Sequence, residues 1–163
     1  MNFPLCILAT GGTIDKIHDP VTERLVFSGQ SNIPQILHEC RITGLEHHVL
    51  MLKDSLDLTD HDRQSILEAV LARCEERIVI THGTSTMPLT AEFLDKKVGN
   101  KTVILTGAMR PFSLFQSDAA FNLGGAILAA RMCEPGVYIV MNGQCFVAGE
   151  VQKDIERAMF VPK

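Results

Sequence analysis

The chain of 163 residues alternates between short apolar runs and longer segments in which apolar residues recur at helical spacing. Residues 3–9 form a continuous apolar run, the pattern of a strand covered on both faces of a sheet. Further along, apolar residues 66, 67, 70 and 71 recur at helical spacing, and Thr59-Asp60 before them is typical of a helix N-cap. The pattern therefore predicts a buried first strand and, later, a helix that ends at about Arg73.

The same reasoning assigns the rest of the chain. Strands are predicted at residues 49–52, 78–81, 102–105 and 137–141, helices at residues 33–42, 87–96 and 117–132, and a small hairpin around Gly149 at residues 144–153. Asp118 is expected to cap the last helix. Short buried strands that alternate with helices indicate an α/β fold, a doubly wound and mostly parallel sheet with helices on both faces. Ligands of such sheets bind beyond the carboxyl ends of the strands.

Loops rich in hydroxyl groups or charge follow several of these strands. They are residues 10–13 (T-G-G-T), 53–57 (K-D-S-L-D), 81–86 (T-H-G-T-S-T) and 106–111 (T-G-A-M-R-P). Glycines permit tight turns that expose backbone N–H groups, and a threonine hydroxyl beside a base can act as a nucleophile. No P-loop or dinucleotide fingerprint is present, so acyl transfer is favoured over nucleotide binding. Asp15 and Lys16 begin a predicted loop, residues 15–30, that either closes over substrate or lies in solvent.

Composition narrows the class of protein. Hydrophobic residues make up 46% and charged residues 21%, as in a globular protein, and at roughly 150 residues per domain we expect a single domain over residues 1–163. The formal net charge of −4 argues against a partner that is nucleic acid or an anionic membrane. No apolar run approaches the ~18 residues of a membrane span, and the N-terminus is typical of a strand rather than a signal peptide.

Cysteine usage favours a reducing compartment. The cysteines, at positions 6, 40, 74, 133 and 145, are odd in number and have no C-x-x-C spacing. This pattern is typical of free thiols rather than of a disulfide scaffold or a zinc site. We therefore expect a cytoplasmic protein that holds no metal ion.

Four segments of the sequence together indicate a family. I-L-A-T-G-G-T-I-D-K at residues 7–16 and I-T-H-G-T-S-T-M at residues 80–87 resemble the two signatures of bacterial-type L-asparaginases. K-D-S-L-D at residues 53–57 and L-T-G-A-M-R-P at residues 105–111 resemble further motifs of that family, and all four occur in family order. By this resemblance we expect the short form of the family, an asparaginase N-terminal-type domain without a C-terminal domain.

The resemblance implies an amidohydrolase that converts the side-chain amide of L-asparagine to aspartate and ammonia, with no metal ion or organic cofactor. It implies that Thr13 is the nucleophile, that Thr84 is the second catalytic hydroxyl, and that Ser55 holds a substrate carboxylate. Backbone N–H groups near Gly12 and Thr84 would stabilise the oxyanion. The expected substrate-binding residues are Gly12, Ser55, Gly83 and Ser85. Family members are homo-oligomers, so we expect a homodimer or homotetramer.

Some positions depart from the family pattern. Ser85 stands where the family has an aspartate that contacts the substrate's α-ammonium group, and Leu56 replaces a glutamine. Leu25 aligns with a loop tyrosine, and counting from Phe121 puts Cys133 at the position of a catalytic lysine. A charge-assisted hydrogen bond contributes roughly 1.5–3 kcal/mol, so the loss of the aspartate predicts about 10- to 150-fold weaker recognition of an α-amino group.

Two alternatives to an asparaginase stay open. One is a catalytically degenerate ligand-binding or regulatory protein that retains the pocket. The other is an amidase for an amide without a free α-amino group, which would account for Ser85 and Leu56. Binding without ammonia release would indicate the first, and a preference for amine-blocked amides the second. In each case the expected partner is a small-molecule amide.

Overall fold

The computed structural model describes residues 4–163, so the predicted start of the first strand at Phe3 lies outside the described residues. The strands in this range are Leu5–Gly11 (β1), Lys16–Asp19 (β2), Arg24–Phe27 (β3), Glu46–Lys53 (β4), Arg77–Thr81 (β5), Thr102–Thr106 (β6), Gly136–Met141 (β7), Gln144–Val147 (β8), Val151–Asp154 (β9) and Met159–Pro162 (β10). The α-helices are Ile33–Glu39 (α1), Asp60–Ala72 (α2), Met87–Leu94 (α3) and Ala119–Met132 (α4). Single 3-10 turns follow β1 at Thr13–Asp15 and β4 at Ser55–Asp57. None of these helices is long and apolar enough to cross a membrane.

Six of the strands form one sheet in the order β4-β1-β5-β6-β7-β8. The first five are parallel, and β8 runs antiparallel to β7 at the edge. The strand order reverses at β1, because the chain leaves β1 for β4 on one side and returns to β5 on the other. The predicted doubly wound, mostly parallel sheet is confirmed, and the reversal opens a crevice at the carboxyl ends of β1 and β5.

The core divides between the two faces of the sheet, as the side chains of β1 show. Cys6 and Leu8 point to one face and pack with buried residues of α2 and α3. Ile7 and Ala9 point to the other face and pack with buried residues of α1 and α4. Because helices cover this strand on both sides, its sequence is a continuous apolar run instead of an alternation.

The predicted helices are present, with differences at their ends. α1 ends at Glu39 rather than residue 42, because Arg41 has a left-handed φ of 57°. Thr59 caps α2 through a capping box with Asp62, which confirms the predicted start. The expected capping of α4 by the Asp118 side chain is wrong, because both carboxylate oxygens accept backbone N–H bonds from the loop after β6.

The predicted hairpin around Gly149 is wrong. β8 pairs with β7 through a tight turn at Asn142-Gly143, where φ is 55° and 73°. Asn-Gly favours this turn type, since both residues tolerate positive φ. The chain then forms a second hairpin in which β9 pairs with β10. Part of the predicted loop at residues 15–30 is also a hairpin, formed by β2 and β3.

A buried histidine anchors the turn after β5. His82 is 0% exposed, and its Nδ1 lies 2.7 Å from the carbonyl oxygen of Gly83 while its Nε2 lies 2.9 Å from Oγ1 of Thr90. A carbonyl can only accept, so Nδ1 carries the proton and the Thr90 hydroxyl donates to Nε2. Burial lowers the pKa of His82 to about 4, which keeps the ring neutral and gives it a structural role in the turn.

We expect His82 to make stability depend on pH between 6.5 and about 4. Below pH 6.5 the unfolded chain protonates this histidine, while the folded chain does not. The free energy of unfolding therefore decreases as the pH is lowered across that window. At about 1.36 kcal/mol per pKa unit, the loss is roughly 3 kcal/mol. Urea unfolding at several pH values should show a smaller loss for His82→Asn than for the wild type. His61→Gln, an exposed control, should keep the wild-type slope; equal slopes for all three would contradict the assignment.

Candidate active site

The loops after β1 and β5 meet where the strand order reverses. β1 is hydrogen-bonded to both β4 and β5, and its register against β4 shifts near its carboxyl end. Thr10 Oγ1 donates to the carbonyl oxygen of Thr81 over 2.8 Å, which joins the ends of β1 and β5. The Gly12 N–H donates to the carbonyl oxygen of Lys53 at 2.9 Å, which joins the loop after β1 to the end of β4. Three strand ends are therefore held together at one crevice.

Glycines allow these loops to approach at backbone distance. Gly11 and Gly12 have φ of 99° and 80°, a region that L side chains rarely adopt. A Cβ on Gly11 would lie 2.5 Å from the backbone nitrogen of Lys53, and one on Gly12 would lie 2.4 Å from that of Gly83. Only glycine fits at either position, so the T-G-G-T sequence is required by the contact of the two loops.

The predicted catalytic and substrate-binding residues surround this contact. A Cβ on Gly83 would lie 2.6 Å from Cβ of Ser55, so the turn after β5 sits directly on the turn after β4. Thr86 Oγ1 donates to the carbonyl oxygen of Ser55 over 2.7 Å and fixes that arrangement. Thr13 and Thr84 each follow one of the touching glycines; Thr13 is half-buried and Thr84 is buried. The structure thus brings together the two predicted threonines and the predicted serine.

The structure adds a lysine that the sequence analysis missed. Lys153, on β9, donates a 2.7 Å hydrogen bond from Nζ to Oγ1 of Thr84. Burial lowers the pKa of Lys153, while the charge of Asp54 acts in the opposite direction. In the structure Lys153 lies two residues after the buried Val151 on one strand, and therefore on the same face, but no local pattern of the sequence indicates its contact with Thr84. A partly desolvated amine on a hydroxyl is the arrangement of a base and the group it activates.

The assignment of the catalytic lysine's position to Cys133 is wrong. Cys133 follows α4, and its carbonyl oxygen accepts hydrogen bonds from Arg77 and Thr102, the first residues of β5 and β6. It therefore lies at the amino ends of the strands, opposite the crevice. Counting along α4 failed because the lysine that reaches Thr84 comes from a hairpin later in the chain.

Two acidic residues near the crevice are already engaged. Asp54 forms an ion pair with Lys16, and the pair lowers the pKa of its carboxyl. Asp15, in the segment predicted to close over substrate or lie in solvent, is fully buried, and its Oδ1 accepts from Ser31 Oγ and the Asn32 N–H at 2.8 and 2.7 Å. Burial raises the pKa of Asp15. Asp54 is thus paired and Asp15 is enclosed, so neither takes the place of the aspartate that the family pattern has at position 85.

Ser85 and Leu56, which both differ from the family pattern, line one cavity. This cavity has a volume of about 590 Å³ and is bordered by Lys153, by Ser85, and by the exposed apolar residues Leu56, Leu89 and Ile155. Its acidic residue, Glu92, is paired with Lys163 at 2.5 Å. The cavity that Lys153 and Ser85 border is thus lined mainly by apolar groups.

An amide network positions the hairpin that carries Lys153. Asn122, on α4, donates to the carbonyl oxygen of Gly107 at 3.0 Å and accepts from the N–H of Asn142 at 3.2 Å. Asn142 in turn accepts the N–H of Phe160, on β10, at 2.9 Å. Phe160 is buried in the core next to Val151. The network connects the loop after β6 and the β7–β8 turn to the β9–β10 hairpin.

The described residues provide no obvious site for a metal ion. Within residues 4–163, no three His, Cys, Asp or Glu side chains are grouped so that they could hold one.

Comparison with known proteins shows which sequences this chain resembles. The chain is 33% identical over 159 residues to a protein named "Probable L-asparaginase periplasmic" from Haemophilus influenzae, covering 91% of this chain and 46% of that protein. It is 32% identical over 146 residues to one of the subunits of a glutamyl-tRNA(Gln) amidotransferase from Methanococcus vannielii, covering 86% of this chain and 34% of that protein. The chain thus spans about half or less of the length of these relatives.

Solved structures show the same fold. The "Probable Cytoplasmic L-asparaginase" from Campylobacter jejuni superimposes with a TM-score of 0.84 at 26% identity, covering 99% of this chain and 53% of that one. The model of the family described as "Asparaginase, N-terminal" matches residues 4–159. With its family match over most of its length and its fold in agreement, the chain belongs to the asparaginase family, to whose N-terminal domain it corresponds.

Proposed function

We propose that this protein is an amidohydrolase that releases ammonia from the side-chain amide of L-asparagine. The observation that carries the proposal is the 2.7 Å hydrogen bond from Lys153 to Thr84, in a crevice that also holds Thr13 and Ser55. Family membership supports the reaction type. A binding protein would need a pocket but no amine on a buried hydroxyl.

In the proposed reaction Thr13 Oγ1 attacks the amide carbon. The bond between carbon and nitrogen breaks, ammonia leaves with the hydroxyl proton, and an ester to Thr13 remains. Water then attacks the ester carbon, and its proton passes through Thr84 Oγ1 to the neutral amine of Lys153. The bond between the carbon and Thr13 Oγ1 breaks, aspartate leaves, and the proton returns from Lys153 to Thr13 Oγ1. The lowered pKa of Lys153 favours this role, because only the neutral amine can accept a proton.

Backbone amides and Ser55 complete the proposed site. The Gly12 N–H already donates to Lys53, so we assign the oxyanion to the N–H groups of Thr13 and Thr84 instead. Ser55 would hold the substrate carboxylate, as the family resemblance implies. The buried position of Ser55 strengthens a hydrogen bond to a charged group, because little water competes for it.

The first prediction concerns the three catalytic residues. Thr13→Ala should reduce ammonia release from asparagine to background, because the acyl-enzyme cannot form. Thr84→Ala and Lys153→Met should reduce kcat by about 10²- to 10⁴-fold, the usual effect of losing a general base. Lys97→Met, which changes an exposed lysine, should match the wild type in the same ammonia assay. Wild-type turnover by Thr13→Ala or by Thr84→Ala would refute the mechanism.

The order of steps is tested by trapping the intermediate. If Lys153 and Thr84 act on water, Lys153→Met should accumulate an aspartyl ester during turnover. Trypsin places Thr13 in peptide 1–16 and Thr84 in peptide 78–96, so mass spectrometry shows which threonine carries the ester. An ester on peptide 78–96 would make Thr84 the nucleophile and reject the assignment of Thr13.

A second prediction concerns the glycine contact. Gly12→Ala should destabilise the fold and abolish activity, because the added Cβ would lie 2.4 Å from Gly83 N. Gly29→Ala is a matched control: Gly29 also has a positive φ, of 85°, but nothing lies within 4 Å of its added Cβ. Both variants carry the strain of positive φ, so the difference in melting temperature and activity reports the contact alone. Equal losses in the two variants would contradict it.

The cavity beside Ser85 favours a second candidate substrate. We propose as the alternative an amide whose α-amino group is blocked by an apolar acyl group. The exposed side chains of Leu56, Leu89 and Ile155 would contact the acyl group, and Ser85 has no charge for an ammonium. Desolvating an unpaired ammonium at this apolar wall would be unfavourable.

The third prediction separates the two substrates. If the substrate is an amide with a blocked α-amino group, the wild type should have a higher kcat/KM for N-acetyl-L-asparagine than for L-asparagine. Ser85→Asp should shift that ratio toward free asparagine by about 10- to 150-fold, the effect of one charge-assisted hydrogen bond. Ser85→Asn, an uncharged variant of similar shape, should leave the ratio near the wild-type value. A wild-type preference for free asparagine would reject the alternative.

The cytoplasmic location and the homodimeric or homotetrameric state also stay proposals. Free cysteines support a reducing compartment, and all five are unpaired in the structure. The names of the relatives include both a periplasmic and a cytoplasmic protein.

A further inference from the structure

Two cysteines meet on the side of the molecule away from the crevice. Cys133, directly after α4, and Cys145, on β8, are 12 positions apart in sequence, and their Sγ atoms are 4.0 Å apart. Cys145 is exposed and Cys133 is partly exposed, so a small reagent can reach the pair. The two sulfurs line a cavity of about 700 Å³, together with apolar residues of α4 such as Leu128 and Met132.

We propose that Cys133 and Cys145 form a reversible intramolecular disulfide by exchange with a low-molecular-weight disulfide. A disulfide bond is about 2.05 Å long, so the sulfurs must approach by roughly 2 Å, within reach of side-chain rotation and a small shift of the exposed β8 edge. This edge is hydrogen-bonded to β7 alone in the sheet, which makes such a shift easy. The sequence spacing gave no hint of the pair, because α4 and β8 become neighbours only in the fold.

The exchange is balanced in atoms and electrons. One protein thiolate attacks a sulfur of the small disulfide, a mixed disulfide forms, and a small thiolate leaves. The second protein thiolate attacks the protein sulfur of the mixed disulfide and expels the second small thiolate. The protein loses two electrons to the small disulfide, and the two protons of its thiols end on the two small thiols.

The surroundings favour the oxidised pair once it forms. Although Cys145 is exposed as a residue, partial desolvation of its thiol and the neighbouring Cys133 sulfur raise the pKa of Cys145 to about 11. Strongly oxidising disulfides arise where the protein stabilises the reduced thiolates, and a raised pKa is the opposite condition. The bond would join β8 to the end of α4 on the wall of the cavity and restrict the unfolded chain between them.

The test is equilibration of the reduced full chain with a glutathione redox buffer, followed by acid quench and alkylation. Both cysteines lie in tryptic peptide 132–153, which should be two hydrogens lighter and carry no alkyl group. Chymotryptic cleavage after Tyr138 should then leave two fragments joined until reduction. Oxidation should raise the melting temperature by about 5–10 °C, as expected for a loop of this size in a chain of this length.

Matched variants identify the pair. Cys145→Ser and Cys133→Ser should lose both the mass change and the rise in melting temperature. Cys40→Ser, which removes an exposed cysteine elsewhere, should behave as the wild type. The proposal is rejected if peptide 132–153 carries two alkyl groups or glutathione adducts after oxidation. It is also rejected if the bond forms between two copies of the chain, as seen on a non-reducing gel.

Discussion

The backbone contact between Gly12 and Gly83 is the constraint on which the site depends. It lies at the reversal of the strand order, where the loops after β1 and β5 approach more closely than any side chain allows. Because each glycine is followed by a threonine, the contact sets the positions of Thr13 and Thr84 through the main chain. Ser55 joins them because Gly83 leaves room for it. The geometry of the hydroxyls therefore follows from residues that have no side chain.

Charge around the crevice is unevenly distributed, and this shapes what the site can bind. Asp54 is neutralised by Lys16, and Asp15 is buried with Ser31 and Asn32. Lys153 thus adds an amine to a region in which Asp54 is already paired with Lys16. On the proposed function, this amine favours the carboxylate of the substrate, which both candidate amides carry.

Local sequence patterns predicted much of the fold, and they failed where distant segments meet. The capping box at Thr59 is an interaction between near neighbours in sequence. The apolar run of β1 and the glycine–threonine loops are also visible in the local sequence, although the contacts they make are with distant segments. Lys153 was missed because it contacts a residue 69 positions away, and no local pattern encodes that contact. Asp118 was assigned to its own helix for the same reason: its N-cap position is visible in the sequence, but its partners in the loop after β6 are not.

The separation of Thr84 from Lys153 has a consequence for the nascent chain. The six strands of the main sheet, both threonine loops and α4 precede residue 153 in the chain and are synthesised first. The amine therefore reaches the crevice only when the hairpin of β9 and β10 packs against the core through Phe160. The order of synthesis thus places both threonine hydroxyls in the chain before the residue that supplies the amine.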